Sequence, residues 1–119
     1  MRPVKKILIT GPEATGKSAL AEQLAAYFNT CWNPEFARTY LKDKSYEQHD
    51  LDRMLTGQLT SEHKYYLRSI NYLFCDTGPE VFKIWSEYKY GVCSHSINNA
   101  FHDHRYDFTL LLYPDLPWE

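Results

Sequence analysis

The stretch Gly11-Pro12-Glu13-Ala14-Thr15-Gly16-Lys17-Ser18 decides the fold of this chain. It has the pattern Gly, four residues, Gly-Lys-Ser, which is typical of a phosphate-binding loop, or P-loop. Glycines let the backbone curl so that successive N–H groups point at phosphate oxygens, and the helix that follows presents its positive dipole end. We therefore predict that this stretch holds the phosphates of a nucleotide.

The residues on either side of the loop have the pattern that a P-loop requires. Upstream, Lys5–Thr10 is an apolar, β-branched run that ends at Gly11, which is typical of a short buried strand. Downstream, apolar residues recur at helical spacing at Leu20, Leu24, Tyr27 and Phe28. The alternative is a glycine turn that caps an ordinary helix, and the order of strand, loop and helix favours the P-loop.

Each residue type in the loop has a chemical task. We expect Lys17 to reach the β- and γ-phosphates of ATP, which makes it a candidate catalytic residue, and Ser18 to ligate Mg²⁺. The candidate ATP-binding residues are Gly11, Glu13, Ala14, Thr15, Gly16, Lys17, Ser18 and Ala19. The predicted cofactors are therefore ATP and Mg²⁺.

Composition and charge narrow the class of protein. The 119 residues suffice for one domain, 1–119, and 44% hydrophobic with 16% aromatic residues indicates a folded globular chain. A net charge of −2 offers no broad basic surface, so nucleic acid is not the expected partner. No apolar run approaches the roughly 20 residues of a membrane span, and the N-terminus shows no signal peptide. We expect a soluble, cytoplasmic protein without a membrane partner.

Strand and helix patterns alternate along the rest of the chain. The sequence predicts a short strand at Cys31 and Trp32, a helix over 46–69 that Gly57 kinks or divides, a strand over 72–76, a helix from Val81 to Gly91, a polar segment from Ser94 to Arg105 and a buried strand at Asp107–Tyr113. This alternation predicts an α/β protein with the P-loop NTPase three-layer fold, a parallel sheet with helices on both faces. Ligands then bind at the carboxyl ends of the strands.

Asp76 is the second informative residue, because it ends an apolar strand and is followed by a turn. An acidic residue beside the P-loop strand can hold Mg²⁺ or accept a proton from a substrate hydroxyl. The alternative is an aspartate that starts the turn before Gly78 or caps the next helix. Given the P-loop, we favour the metal-binding and catalytic role.

Other polar and aromatic residues are weaker candidates. Glu35 and Arg38 are three residues apart, so they could bind ribose hydroxyls and phosphate, or form only a surface ion pair. Trp85 could stack on a planar base, although aromatic residues at helical spacing are usually core. The two imidazoles of the stretch 102–104 are two residues apart, so we expect a solvated segment rather than a metal site.

Five stretches together resemble the P-loop kinase domain of NadR-type proteins: Ile7–Ser18, Pro34–Tyr40, Phe74–Thr77, Lys83–Glu87 and Tyr113–Glu119. The resemblance implies a nucleoside-kinase-like fold and an ATP- and Mg²⁺-dependent ribosylnicotinamide kinase, which phosphorylates the 5′-hydroxyl of nicotinamide riboside in NAD biosynthesis. It matches Lys17, Ser18 and Asp76 to the phosphate and metal residues. It places Glu35, Arg38, Trp85 and Asp115 on the substrate side.

The chain departs from that family in two places. Gly78 stands where the family pattern Asp-Thr-Asp has its second carboxylate, and Glu119 comes before the expected C-terminal lid and last strand. Without the lid, the chain could bind nucleotide with little phosphoryl transfer, and the strand Asp107–Tyr113 could become an exposed edge for self-association. A P-loop ATPase is a third alternative, for which we find no sensor or arginine-finger elements.

Overall fold

A computed structural model describes residues 4–11, 16–41 and 46–112, except the side chains of Arg38 and Thr39. The elements in chain order are β1 (Lys5–Thr10), α1 (Lys17–Tyr27), β2 (Trp32–Asn33), α2 (Phe36–Leu41), α3 (Gln48–Arg68), β3 (Tyr72–Asp76), α4 (Pro79–Tyr90), α5 (His95–Asp103) and β4 (Phe108–Leu111). Strands and helices alternate as the sequence predicts. Among the described helices, none combines the length and the apolar character needed to cross a membrane.

The strands form a parallel sheet in the order β2-β3-β1-β4. Ile9 of β1 lies opposite Asp76 of β3, so the first strand and the strand that ends in the aspartate are neighbours. Parallel strands need long crossover connections, and the helices between them supply these. The predicted α/β class and parallel sheet are confirmed.

Helices cover both faces of the sheet. Successive side chains of a strand point to opposite faces, so the contacts of Ile9 and Leu8 in β1 show what packs on each face. Ile9 is fully buried against α1, where it packs with Ala21 and Ala25. Leu8 points the other way and packs with residues of β3 and α3, including Leu73 and Tyr65. The predicted three layers are therefore present.

Helix α3 runs without interruption through Gly57, where the sequence analysis expected a kink or a division. A side chain at this position would meet the Phe36 ring, since an added Cβ would lie 2.4 Å from ring carbons. Gly57 therefore serves the close packing of α2 on α3, and the helix absorbs the propensity cost of a glycine.

The last third of the described chain corrects two expectations. The stretch 102–104, expected to be solvated, is solvated only in part, because His104 forms a hydrogen bond with Glu62. The segment from Ser94 to Arg105, predicted only to be polar, contains α5, which buries Ile97. The strand expected to be buried is exposed, with Phe108 57% and Leu111 53% accessible. This strand pairs with β1 and forms the edge of the described sheet, which explains its exposure. The predicted strand residue Tyr113 lies outside the described residues.

Candidate functional site

The phosphate loop and the acidic strand end meet at the carboxyl edge of the sheet. Strand β1 leads into Gly11, α1 begins at Lys17, and Asp76 ends the neighbouring strand. Gly11 has a φ of 144°, and an added Cβ would lie 2.6 Å from the carbonyl oxygen of Leu112. Only glycine fits this conformation and this contact. The predicted ATP-binding residues Glu13, Ala14 and Thr15 lie outside the described part of the chain.

Lys17 is buried at the start of α1, with 6% of its surface accessible. Its Nζ donates a hydrogen bond of 2.7 Å to the carbonyl oxygen of Gly11, so the ammonium group is held against its own loop. Gly16 precedes it with a φ of 84°, a left-handed conformation that glycine adopts without strain. The ammonium group is thus positioned at the loop and can transfer its hydrogen bond to a phosphate oxygen. Ala19, one turn into α1, is exposed.

Ser18 and Asp76 form the second contact of this edge. The Ser18 hydroxyl donates a hydrogen bond of 2.5 Å to Oδ2 of Asp76, whose side chain is fully buried. A hydroxyl and a carboxylate oxygen side by side are the hard oxygen donors that Mg²⁺ prefers. The residues therefore fit a magnesium ion that keeps water in its other coordination positions.

Gln58 connects the end of β3 to the start of α2 at this site, and no sequence pattern singled it out. Its buried amide Nε2 donates to the carbonyl oxygens of Asp76 and Thr77, at 3.4 and 3.2 Å. Its Oε1 accepts a 2.7 Å hydrogen bond from the backbone N–H of Phe36, at the start of α2. A polar residue at a buried position of α3 was the available signal, because Gln58 continues the spacing of Leu51 and its buried neighbours.

The backbone after Asp76 has an unusual conformation. Thr77 has a φ of 79°, which a β-branched residue adopts only under strain, and its N–H donates to the carbonyl oxygen of Ile9. At Gly78 an added Cβ would lie 2.6 Å from the Tyr106 hydroxyl. The Tyr106 side chain thus occupies the space that a side chain at position 78 would need, which gives a steric reason for the glycine.

Glu80 lies in the first turn of α4, and its side chain folds back towards the backbone of Gly78. Its Oε1 accepts a 2.6 Å hydrogen bond from the Gly78 N–H. Burial raises the pKa of the Glu80 carboxyl and outweighs the backbone hydrogen bonds from Gly78 and from Glu80 itself and the charge of Lys17, all of which lower it. No sequence pattern distinguishes this residue, because a glutamate in the first turn of a helix is common.

A cavity of about 460 Å³ opens beside the phosphate loop. Its described lining comprises Thr10, Gly11, Glu80, Val81, Ile84, Trp85 and Leu111. The Trp85 ring also stacks on Tyr46, with centroids 6.2 Å apart, so it is both a core residue and a cavity wall. The volume lies within the range of about 300–1,000 Å³ that is usual for small-molecule sites.

The structure describes only part of the three further residues that were predicted to bind the substrate. Glu35 is half-buried between β2 and α2, at the same edge of the sheet as Asp76, because Asn33 pairs with Cys75. Arg38 lies in α2, and its side chain is outside the described part. Asp115 is also outside it. Their binding roles therefore stay predictions.

A second buried carboxylate lies nearer the amino end of the sheet. Glu62 of α3 accepts hydrogen bonds from the Tyr106 hydroxyl at 2.7 Å and from Lys6 Nζ at 3.3 Å, and it also contacts His104 Nε2. Burial would raise the pKa of Glu62, but the hydrogen bonds from His104 and Tyr106, with the charges of His104 and Lys6, hold it below the usual value. This cluster lines a separate cavity of about 530 Å³.

A family model described as an AAA domain, AAA_28, matches residues 6–119 of the chain. No protein of curated function matches the sequence significantly. The sequence match therefore assigns a family and no specific activity.

Several solved structures share the fold. A NadR protein in complex with NR superposes with a TM-score of 0.76 at 23% identity, covering 92% of this chain and 34% of that chain. A NadR protein in complex with NAD and AMP-PNP gives 0.78 at 24% identity over the same shares, 92% and 34%. Thymidylate kinase from Ehrlichia chaffeensis gives 0.68 at 16% identity, covering 94% of this chain and 72% of that chain.

At these identities the likeness concerns the fold alone. The chain spans about a third of the length of the NadR structures, 34%. The resemblance to NadR-type proteins is thus confirmed as a likeness of fold, and the kinase folds among the matches agree with the parallel sheet described above.

Proposed function

This chain belongs to the AAA_28 family of AAA domains, and we propose that it is an ATP- and Mg²⁺-dependent nucleoside kinase. The observation that carries the proposal is the meeting of Lys17, Ser18 and Asp76 at one edge of the sheet, with Ser18 bonded to Asp76 at 2.5 Å. A cavity lined by Gly11, at the start of the phosphate loop, and by Glu80 opens at the same edge. A phosphate donor and an acceptor could therefore bind next to each other.

The residues divide the chemistry between them. Ser18 and Asp76 would hold Mg²⁺, whose charge would offset the negative charge that develops on the phosphate during transfer. Lys17 moves its hydrogen bond from Gly11 to the β- and γ-phosphates. The oxygen of the acceptor hydroxyl bonds to the γ-phosphorus and its proton passes to the Asp76 carboxylate; the bond from that phosphorus to the bridging oxygen breaks, and ADP leaves with the electron pair.

Nicotinamide riboside is the leading acceptor. Two structures with the same fold are NadR proteins, one in complex with NR and one with NAD and AMP-PNP, which supports this class of substrate and a place in NAD biosynthesis. The Trp85 ring beside the cavity offers a flat surface for a pyridine ring. We keep Glu35, Arg38 and Asp115 as substrate-binding residues. The cytoplasm, where ATP and Mg²⁺ are abundant, is the proposed location.

The test is ADP formation with Mg²⁺ and ATP, in the presence of nicotinamide riboside and of the common nucleosides in turn. We expect turnover to be highest with nicotinamide riboside and to disappear in Lys17→Ala, because phosphate charge then has no ammonium partner. Lys64→Ala is the matched control, since it removes an exposed lysine of α3. ADP formation that no nucleoside accelerates would contradict the kinase proposal.

The second candidate is a nucleotide-binding module with little or no phosphoryl transfer. Gly78 favours it, because this position offers no side chain to the acceptor and the Tyr106 hydroxyl occupies the adjacent space. This candidate predicts that ATP or ADP stabilises the chain while turnover stays negligible with every nucleoside. The ADP assay and a thermal shift with ATP together separate the two candidates.

A further proposal concerns self-association through β4. Phe108, Leu110 and Leu111 are exposed at 57%, 40% and 53%, and within the described residues this strand pairs only with β1. An exposed apolar edge strand can pair with another chain, and we propose a second copy of this chain as the partner. Light scattering should show a dimer that Leu110→Lys converts to a monomer. A wild-type monomer at all concentrations would contradict this proposal.

A further inference from the structure

Glu80 has one carboxylate oxygen with a partner and one without. Oε1 accepts the hydrogen bond of 2.6 Å from the Gly78 N–H. Oε2 is closed off from bulk solvent and has no hydrogen-bond partner among the described residues. A buried carboxylate oxygen without a donor is costly, so this position calls for a further partner.

The surroundings of Glu80 restrict what that partner can be. A carboxylate only accepts hydrogen bonds, so the partner must carry an O–H or N–H group. The nearest cationic group whose charge acts on Glu80 belongs to Lys17, and its Nζ is bonded to Gly11. Within the described residues no donor reaches Oε2, so a ligand can supply one.

The cavity supplies the place for such a group. Glu80 lines it together with Thr10 and Gly11 of the phosphate loop on one side. The apolar side chains of Val81, Ile84, Trp85 and Leu111 complete the described lining. Among these lining residues Glu80 is the charged one, so it is the residue that can select a polar group of the ligand.

We infer that the Glu80 side chain turns towards the cavity, which brings Oε2 out of its closed position, and that Oε2 then binds a hydroxyl group of the phosphoryl acceptor beside the phosphate loop. The inference rests on the proposed kinase function and adds a residue to its acceptor site. It also assigns the acceptor-side carboxylate to position 80, whereas Gly78 has no side chain. The hydroxyl donates its hydrogen bond to Oε2, and the Gly78 N–H keeps the other oxygen in place.

The test measures acceptor binding without turnover. Nicotinamide riboside and its 2′-deoxy, 3′-deoxy and 5′-deoxy forms are titrated calorimetrically into the chain in the presence of Mg²⁺ and ADP. For the wild type, we expect one of the three deoxy forms to bind about tenfold more weakly, the usual cost of losing a hydrogen bond to a charged group. In Glu80→Gln the same deletion should cost only about twofold, because the charge that the hydroxyl contacts is gone.

Two controls separate binding from folding. Glu80→Gln keeps the side-chain length and an oxygen for the Gly78 N–H, so its affinity for Mg²⁺ and ADP should equal that of the wild type. Glu87→Gln removes a charge from the exposed side of the same helix, where it pairs with Lys83 at 2.8 Å, and should leave nucleoside affinity unchanged.

Each outcome decides one proposal. If wild type binds nicotinamide riboside and Glu80→Gln shows the same loss for every deoxy form, the Glu80 inference is overturned and the kinase proposal stands. If Glu80→Gln weakens Mg²⁺ and ADP as much as the nucleoside, the carboxylate serves the nucleotide, which also overturns it. If the wild type binds ADP but no nucleoside, both proposals fail.

Discussion

Two glutamates, the buried Glu62 of α3 and the half-buried Glu80 of α4, differ in the hydrogen-bond partners of their carboxylates. Glu62, nearer the amino end, receives hydrogen bonds from Tyr106 and Lys6 and contacts His104, and its pKa is lowered. Glu80, at the carboxyl edge, receives one from the Gly78 N–H, and its pKa is raised.

The difference separates a carboxylate that supports the fold from one that is available to a ligand. Glu62 connects α3 to β1 and to the segment before β4, so its carboxylate already has hydrogen-bond partners within the protein. Both glutamates line a cavity, but the Glu80 carboxylate accepts its hydrogen bond from its own turn, and its cavity adjoins Gly11 of the phosphate loop. Burial alone therefore does not make a carboxylate a candidate for function, whereas a buried oxygen without a hydrogen-bond partner among the described residues does.

The largest expected effect is the loss of Glu62. Glu62→Ala leaves the Lys6 ammonium group without its partner and should lower the free energy of unfolding by about 3–5 kcal/mol, as is usual for breaking a buried ion pair. Urea denaturation measures this difference. Glu22→Ala, an exposed position of α1, is the control and should change stability little. If Glu62→Ala lowered the free energy of unfolding no more than Glu22→Ala does, Glu62 would not be the carboxylate that supports the fold.

The next effect concerns Gly78, which lies between the two carboxylates. Gly78→Asp places a Cβ against the Tyr106 hydroxyl, 2.6 Å away, and should cost about 1–3 kcal/mol of stability through overpacking. The double variant with Tyr106→Phe should cost less than the sum of the two single variants, because the clash with the hydroxyl is removed. Strict additivity in urea denaturation would mean that Tyr106 does not restrict position 78.

The pH dependence of stability should have opposite signs at the two sites. The lowered pKa of Glu62 stabilises the fold above its unfolded pKa, and this contribution is lost as pH falls through the folded pKa. The raised pKa of Glu80 has the opposite effect, since ionisation of its carboxyl costs stability as pH rises through the unfolded pKa, whose ordinary value is 4.5.

Urea midpoints between about pH 7 and about pH 3.5 measure both contributions. The wild type should lose its stability advantage over Glu62→Gln as pH falls. Relative to Glu80→Gln, the wild type should instead gain stability as pH falls. The same sign for both variants would contradict the assignment of the two carboxylates.

The smallest expected effect is the stability of Glu80→Gln at neutral pH. Removing a buried charge that has one unsatisfied oxygen should leave the free energy of unfolding unchanged or raise it by up to about 1 kcal/mol. Thermal and urea unfolding measure this change. A loss comparable to that of Glu62→Ala would make Glu80 a structural residue.

The sequence predicted the parts of the fold that local patterns specify. The first strand, the loop glycines and the strand end at Asp76 each depend on neighbouring residues, and the structure brings Lys17, Ser18 and Asp76 to one edge. For β4 the apolar pattern predicted a buried strand, and only the resemblance to NadR-type proteins led to the expectation of an exposed edge. A run of apolar residues shows a strand, but whether another element covers that strand depends on the rest of the sheet.

The polar residues that organise the core were missed because their partners are distant in sequence. Gln58 bonds to residues 18 to 24 positions away, and Glu62 bonds to residues 42 to 56 positions away. Their signal was their place on the apolar face of α3, where a polar side chain must find partners. Which residues those partners are becomes known only from the three-dimensional structure.

The measurement that tests the central claim most directly is the stabilisation of the chain by Mg²⁺ and ATP. A ligand that binds only the folded state stabilises it by about 2.7 kcal/mol at a hundredfold excess over its Kd. We expect this stabilisation in the wild type and in Glu62→Gln, and its loss in Asp76→Asn, which removes the carboxylate that Ser18 contacts. A wild type that Mg²⁺ and ATP do not stabilise, or an Asp76→Asn variant that they stabilise fully, would contradict the account.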